Sequence, residues 1–133
     1  MKQSISAISL VVQKYDEAIK YYTQKLDFQL VEDTDLGNGK RWVLVAPPGA
    51  QECRLLLAQA ATAEQHASIG QQSGGRVFLF LHTDDFWRDY NKMQARGVEF
   101  TELPRDEPYG MVVVFKDLYG NKWDLVEPRP AQP

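Results

Sequence analysis

Cysteine occurs once in the 133 residues, at Cys53, and histidine twice, at His66 and His82. A lone cysteine excludes an internal disulfide framework and any multi-cysteine metal site. Positive charge is short as well: 15 Lys and Arg against 18 Asp and Glu leave a formal charge of −3, with no basic run. Nucleic acid demands a cationic footprint, so it is excluded as a partner. Apolar runs are brief, as at Met111 to Phe115, far below the roughly 20 residues of a membrane helix. Gln3 and Ser4 interrupt the N-terminus where a signal peptide needs apolar residues. No Ser/His/Asp set, phosphate loop or cysteine-histidine metal spacing is present. These absences predict a cytoplasmic, soluble protein with no membrane partner.

What is present is an ordinary globular mix of 44% apolar and 25% charged residues. One domain over residues 1–133 is the expectation, able to bury about two-thirds of its unfolded surface. Ala7 to Val12 alternates as a strand does. Asp16 stands where a helix can begin, and Ala18, Ile19, Tyr22 and Leu26 recur at helical spacing until Asp27. Phe28 to Glu32 reads as extended, Gly37-Asn38-Gly39 as a turn, and Arg41 to Ala46 and Cys53 to Ala58 as strands. Cys53 itself reads as a small buried apolar residue.

After a connector at 60–75, with a short helix possible over Ala60 to Ile69, the order returns. Val77 to His82 is a strand, Asp84 or Asp85 caps a helix striped by Phe86, Tyr90 and Met93, and Gly97 closes it. Val98 to Glu102 is extended, Glu102 to Gly110 a polar loop, and Met111 to Phe115 and Trp123 to Glu127 are strands around the turn Asp117 to Asn121. Pro128 to Pro133 is a tail expected to fray. Two strand-helix-strand-strand-strand modules, about 4–59 and 76–127, are thus laid end to end. The fold class is α+β: two βαβββ modules forming a rolled mixed sheet around a cleft. Each helix covers one sheet face. Ala7, Ser9, Val11, Arg54, Leu56 and Ala58 occupy the other face of the first module, and Phe78, Phe80, His82, Asp124 and Val126 that of the second. A cleft with apolar walls and a few polar groups is the usual small-ligand site.

Ile8 to Tyr22 with Lys25 to Phe28, and Phe115 to Leu125 with its Asp-x-x-Gly-Asn turn, resemble the vicinal oxygen chelate superfamily of glyoxalases, bleomycin-resistance proteins and extradiol dioxygenases. The resemblance spans about Ser4 to Glu127 and implies a homodimer. It also implies facing strands that, in the enzymes, give His, Gln or Glu ligands to one divalent metal acting as a Lewis acid. The corresponding positions here are Ala7, Leu56, Phe78 and Asp124, and only the last has a donor. A hard cation or catalytic zinc needs more than one protein ligand. The reading is therefore a glyoxalase/bleomycin-resistance-like protein binding a small organic molecule in the inter-module cleft, with no cofactor and no metal. The alternative is a metal-dependent glyoxalase-like lyase or dioxygenase drawing on Asp124, His82 and Glu52 or Glu107. A third possibility is an interaction module whose cleft is filled by its own side chains.

The candidate ligand-binding residues are Arg54, Phe78, Phe80, His82, Trp87, Arg105, Tyr109 and Asp124. Asp124 is a charge on an apolar face and needs a partner, either a ligand or Arg54. His82 can donate to a ligand or act as a base, or simply end its strand. The aromatic residues offer stacking surfaces or ordinary core packing. Arg105 can grip a carboxylate or phosphate unless Asp106 and Glu107 neutralise it.

Overall fold

The computed structural model describes residues 1–130. The chain divides into two compact units, residues 1–69 and 70–133. The first contains β1 (Ala7–Val12), α1 (Tyr15–Gln24), β2 (Gln29–Gly37), β3 (Lys40–Ala46), β4 (Arg54–Gln59) and α2 (Ala63–Ser68). Its strands form one sheet in the order β1-β4-β3-β2. β1 runs parallel to β4, and the other pairs are antiparallel. The alternation read from the sequence sets the faces: Leu10, Val12, Val43, Val45 and Leu57 are fully buried with Ala18 and Tyr22 of α1.

Helix α1 begins at Tyr15, with Lys14 at its N-cap. Asp16 is therefore not the cap. It lies in the first turn, where a carboxylate favours the helix dipole, and accepts from Arg41 at 2.9 Å. The helix ends as expected: Asp27 is left-handed at φ 59°, and the Phe28 N–H donates to the Tyr22 carbonyl at 2.9 Å. β2 extends well past Glu32 because it pairs with β3 all the way to the turn. Asn38 and Gly39, at φ 55° and 78°, give the positive-φ pair that a tight two-residue hairpin needs. Cys53 lies before β4 and is exposed, so its expected burial is incorrect. The strand starts one residue later, when Arg54 pairs with Ala7.

The second unit contains β5 (Val77–His82), α3 (Phe86–Ala95), β6 (Glu99–Phe100), β7 (Arg105–Glu107), β8 (Gly110–Lys116) and β9 (Lys122–Pro128). The sheet order is β5-β9-β8-β6, with β7 also on β8. Asp85 caps α3, its Oδ1 accepting from the Arg88 N–H at 3.1 Å. Phe86, Tyr90 and Met93 are the buried stripe. Tyr90 meets Phe100 edge to face at 4.7 Å, and Phe115 stacks on Trp123 at 5.7 Å, so helix and sheet share an aromatic core. The turn after β8 is organised by buried Asp117. Its Oδ1 accepts from the N–H groups of Tyr119 and Asn121, each at 3.0 Å. Its Oδ2 accepts from Asn121 Nδ2 at 3.0 Å and Trp123 Nε1 at 3.3 Å.

Two expectations need correction here. Glu102 to Gly110 is not all loop: β7 pairs with β8, and Pro108-Tyr109 makes the turn. The tail does not fray at its start, because Arg129 donates to Asp106 at 2.5 Å and its backbone N–H to the Tyr109 carbonyl at 2.8 Å. The end of that tail, 131–133, lies outside the described residues.

Candidate functional site

Each sheet has a face away from its helix, and the register defines what stands on it. In the first unit Ala7 pairs with Arg54, Ser9 with Leu56 and Val11 with Ala58, while Leu44 pairs with Leu56 and Trp42 with Thr34. All of these lie on the face opposite α1. A cavity of about 770 Å³ opens there, floored by Ser9, Val11, Leu56 and Ala58, with Trp42 and the Leu36–Arg41 hairpin as one wall. Tyr15, Gln59 and Gln65 complete it.

The hairpin wall is tied to α1 by Arg41. Its guanidinium meets Asp33 through two bonds, at 3.1 and 2.6 Å, and Asp16 at 2.9 Å. It also lies 5.1 Å over the Tyr15 ring, whose hydroxyl accepts from the Arg41 N–H at 3.2 Å. The hydrogen bonds it donates to Asp33 and then to Asp16 hold Arg41 more firmly protonated than usual. The same Arg41 bond holds the Asp33 carboxyl below its ordinary range. The sequence reading placed Ser9, Val11, Leu56 and Ala58 correctly but missed Tyr15, Lys40, Gln59 and Gln65. Trp42 was legible, since it alternates with the buried Val43.

In the second unit the open face carries Asp124. Phe80 and Val114 flank it in register, and His82 pairs with Val126 on the same side. Phe78 does not share this face by simple alternation. The register passes from Val77–Lys122 to Leu79–Trp123, and a bulge of this kind inserts one residue and reverses the phase. Val77, opposite Lys122, thereby joins Phe80 on the Asp124 side, and Phe78 is the residue left without a register partner. Val77, Phe80 and Arg76 line a second cavity of about 580 Å³.

Arg105 comes to this neighbourhood through β7, opposite Val112. Its Nε donates to Glu102 at 3.0 Å and one terminal nitrogen to Glu107 at 2.7 Å. Those bonds, Glu102 first, raise its proton affinity, and Tyr109 adds a smaller contribution. Glu102 also accepts from the Val114 N–H at 3.1 Å. Glu107 neutralises Arg105 as expected, but its other partner is Glu102, because Asp106 turns to Arg129. Burial pushes the Asp124 carboxyl above its usual range; Arg105 opposes this and Glu102 adds to it. Asp124 is only 9% exposed, and its Oδ1 has no hydrogen-bond partner among the described residues. Arg54 Nε is in the same condition in the first unit.

The structure thus gathers Phe80, His82, Arg105 and Asp124 on one sheet face, with exposed Tyr109 at its hairpin. Trp87 stands apart: it packs edge to face on Phe86 and Tyr90 in the helix layer, on the opposite side of that sheet. The positions at which the resemblance implied metal ligands, Ala7, Leu56, Phe78 and Asp124, offer one oxygen donor among their side chains. No group of three or more His, Cys, Asp or Glu able to hold a metal ion occurs among the described residues. The donor set does not fit a catalytic divalent ion.

The model of the glyoxalase/bleomycin resistance protein/dioxygenase superfamily matches residues 4–125. The chain belongs to that superfamily. Among relatives, an uncharacterized protein of Shewanella frigidimarina is 58% identical and covers 100% of this chain and 99% of its own. Among solved structures, UcmS2 has a TM-score of 0.83 at 26% identity, covering 96% of this chain and 99% of that one. TnmS3, an antibiotic binding protein from Streptomyces sp. CB03234, has a TM-score of 0.77 at 29% identity, covering 96% and 98%. The α+β class, with one sheet of four strands and one of five, is that of this superfamily. No helix among the described residues is long and apolar enough to cross a membrane.

Proposed function

We propose that this protein captures a small organic molecule on its uncovered sheet faces and holds it by packing and hydrogen bonds without a metal ion. The observation that carries the reading is the cavity of about 770 Å³ on the first unit's open face, within the size range of drug-sized sites. Its floor is aliphatic, Trp42 gives it an aromatic wall, and Ser9, Gln59 and Gln65 supply polar groups. The likeness to an antibiotic binding protein supports a ligand of natural-product size. The reading extends to a homodimer, implied by the family resemblance and supported by exposed Leu30, Val31 and Leu36 along the edge strand β2.

The test is a calorimetric titration with a panel of aromatic natural-product antibiotics, in the presence and absence of a chelator. At least one compound is expected to bind with a Kd unmoved by the chelator. Trp42→Ala, which removes a half-exposed aromatic wall, is expected to weaken it about tenfold. Binding that vanishes on chelation would restore the metal-dependent lyase or dioxygenase reading. Binding by no member of the panel would remove the small-molecule function itself.

A further inference from the structure

We propose that the cavity of the first unit selects an anionic ligand, a flat aromatic acid whose ring lies on Trp42 and whose carboxylate meets Lys40. This rests on the small-molecule reading above and names the chemical class of the ligand. The charged residues lining the cavity of about 770 Å³ are Lys40 and Arg41, and no aspartate or glutamate lines it. Arg41 is committed on the helix side, to Asp33 and Asp16. Lys40 alternates with Arg41 along β3, so it stands on the open face with Trp42. It has no ion pair among the described residues.

The uncharged lining leans the same way. Gln65 Oε1 accepts from the Ala61 N–H at 2.7 Å, and Gln59 Oε1 from the Tyr15 N–H at 3.4 Å. An amide held by its oxygen keeps its nitrogen as the free end, so each glutamine has N–H donors left to give. The Tyr15 hydroxyl already accepts from the Arg41 N–H and has its proton to donate. Ser9 and Asn38 can act in either sense. Elsewhere on this face, Arg54 stands two residues before Leu56, and Glu32 lies opposite Leu44 with Thr34 bonded to it at 3.0 Å. Neither lines the cavity. An acceptor-bearing anion therefore satisfies the free donors, whereas a cation would meet like charge at Lys40.

Spacing joins the two halves of the ligand. Lys40 and Trp42 are two residues apart on one face of β3, roughly 6–7 Å along the strand. Trp42 is 41% exposed, which leaves a ring face free for stacking. Two fused rings lying on it bring a carboxylate at their edge within reach of the flexible four-carbon stem of Lys40. Val11, Leu56 and Ala58 supply apolar surface beneath. An ammonium in an open cavity stays partly hydrated, so the charge preference is modest.

Three fluorescent naphthalenes that differ in the charge of one substituent test this at pH 7: 2-naphthoate as the anion, 2-naphthalenemethanol as the neutral form and 2-naphthylmethylammonium as the cation. Wild type is expected to bind the anion about fivefold more tightly than the neutral probe, and the cation most weakly. Lys40→Gln is expected to erase the anion's advantage and leave the neutral probe within about twofold of wild type. Lys40→Arg is expected to keep the preference, and Trp42→Ala to weaken all three. Circular dichroism checks that each variant is folded; were Lys40→Gln unfolded, the wild-type ranking would decide. Equal affinities, tightest binding of the cation, or a folded Lys40→Gln that keeps the preference would overturn the anion assignment and leave the small-molecule reading intact. Binding of none of the three at millimolar concentration would overturn both for this cavity.

Discussion

Two buried aspartates in the second unit show what partners do to a carboxylate. Asp117 accepts four hydrogen bonds and closes a turn, whereas Asp124 leaves one oxygen bare. The consequence for Asp124 can be measured. Burial holds its folded-state pKa above the unfolded value of about 3.8, so the native state keeps its proton after the unfolded chain has lost it. Stability therefore falls as pH rises from about 3.8 to the raised value and stays lower above it. Asp124→Asn cannot ionise and escapes that fall. Its Tm is expected to exceed wild type by a few degrees at pH 7, with the gap closing below about pH 3; differential scanning calorimetry across that range checks it. Asp124 was legible as a charge on an apolar face. The commitment of Arg105 to Glu102 was not, because that bond depends on where β7 folds back.

The elements were legible wherever one periodicity ran unbroken. β1, β5, β8 and the stripe of α3 follow alternation or helical spacing closely enough to be placed to within a residue or so. The reading failed where charge disguised a strand: β2 is exposed at every position, and Arg105–Glu107 is three charged residues in a row, so neither shows an apolar face. β7 exists because its hairpin partner begins with Gly110. At φ 151°, a Cβ at Gly110 would collide with the Glu127 carbonyl. Gly110→Ala is expected to cost about 2–3 kcal/mol and to loosen β7 from β8. Denaturant melts would report the first, and hydrogen exchange at Asp106 and Val112 the second. An unchanged midpoint would show that the hairpin tolerates a side chain there.

At the scale of the molecule, the strand-helix-strand order is repeated, with β7 added in the second unit, even though residue identity between the two halves is poor. The pattern of apolar positions specifies which face is buried, and many residues satisfy that rule equally well. Ligand chemistry is set instead by single residues in the gaps of that pattern, which is why the fold was easier to read than the site. The proposed homodimer is expected to sediment at twice the mass of 15.2 kDa at micromolar concentration; a monomer under those conditions would reject it. The bulge at Phe78 carries a consequence of another kind. Deleting that one residue would restore strict alternation in β5 while leaving Val77 opposite Lys122, on the same side as Phe80. The hollow beside Phe80 would keep its lining, so the strand could lose a residue there without any change in what the protein holds.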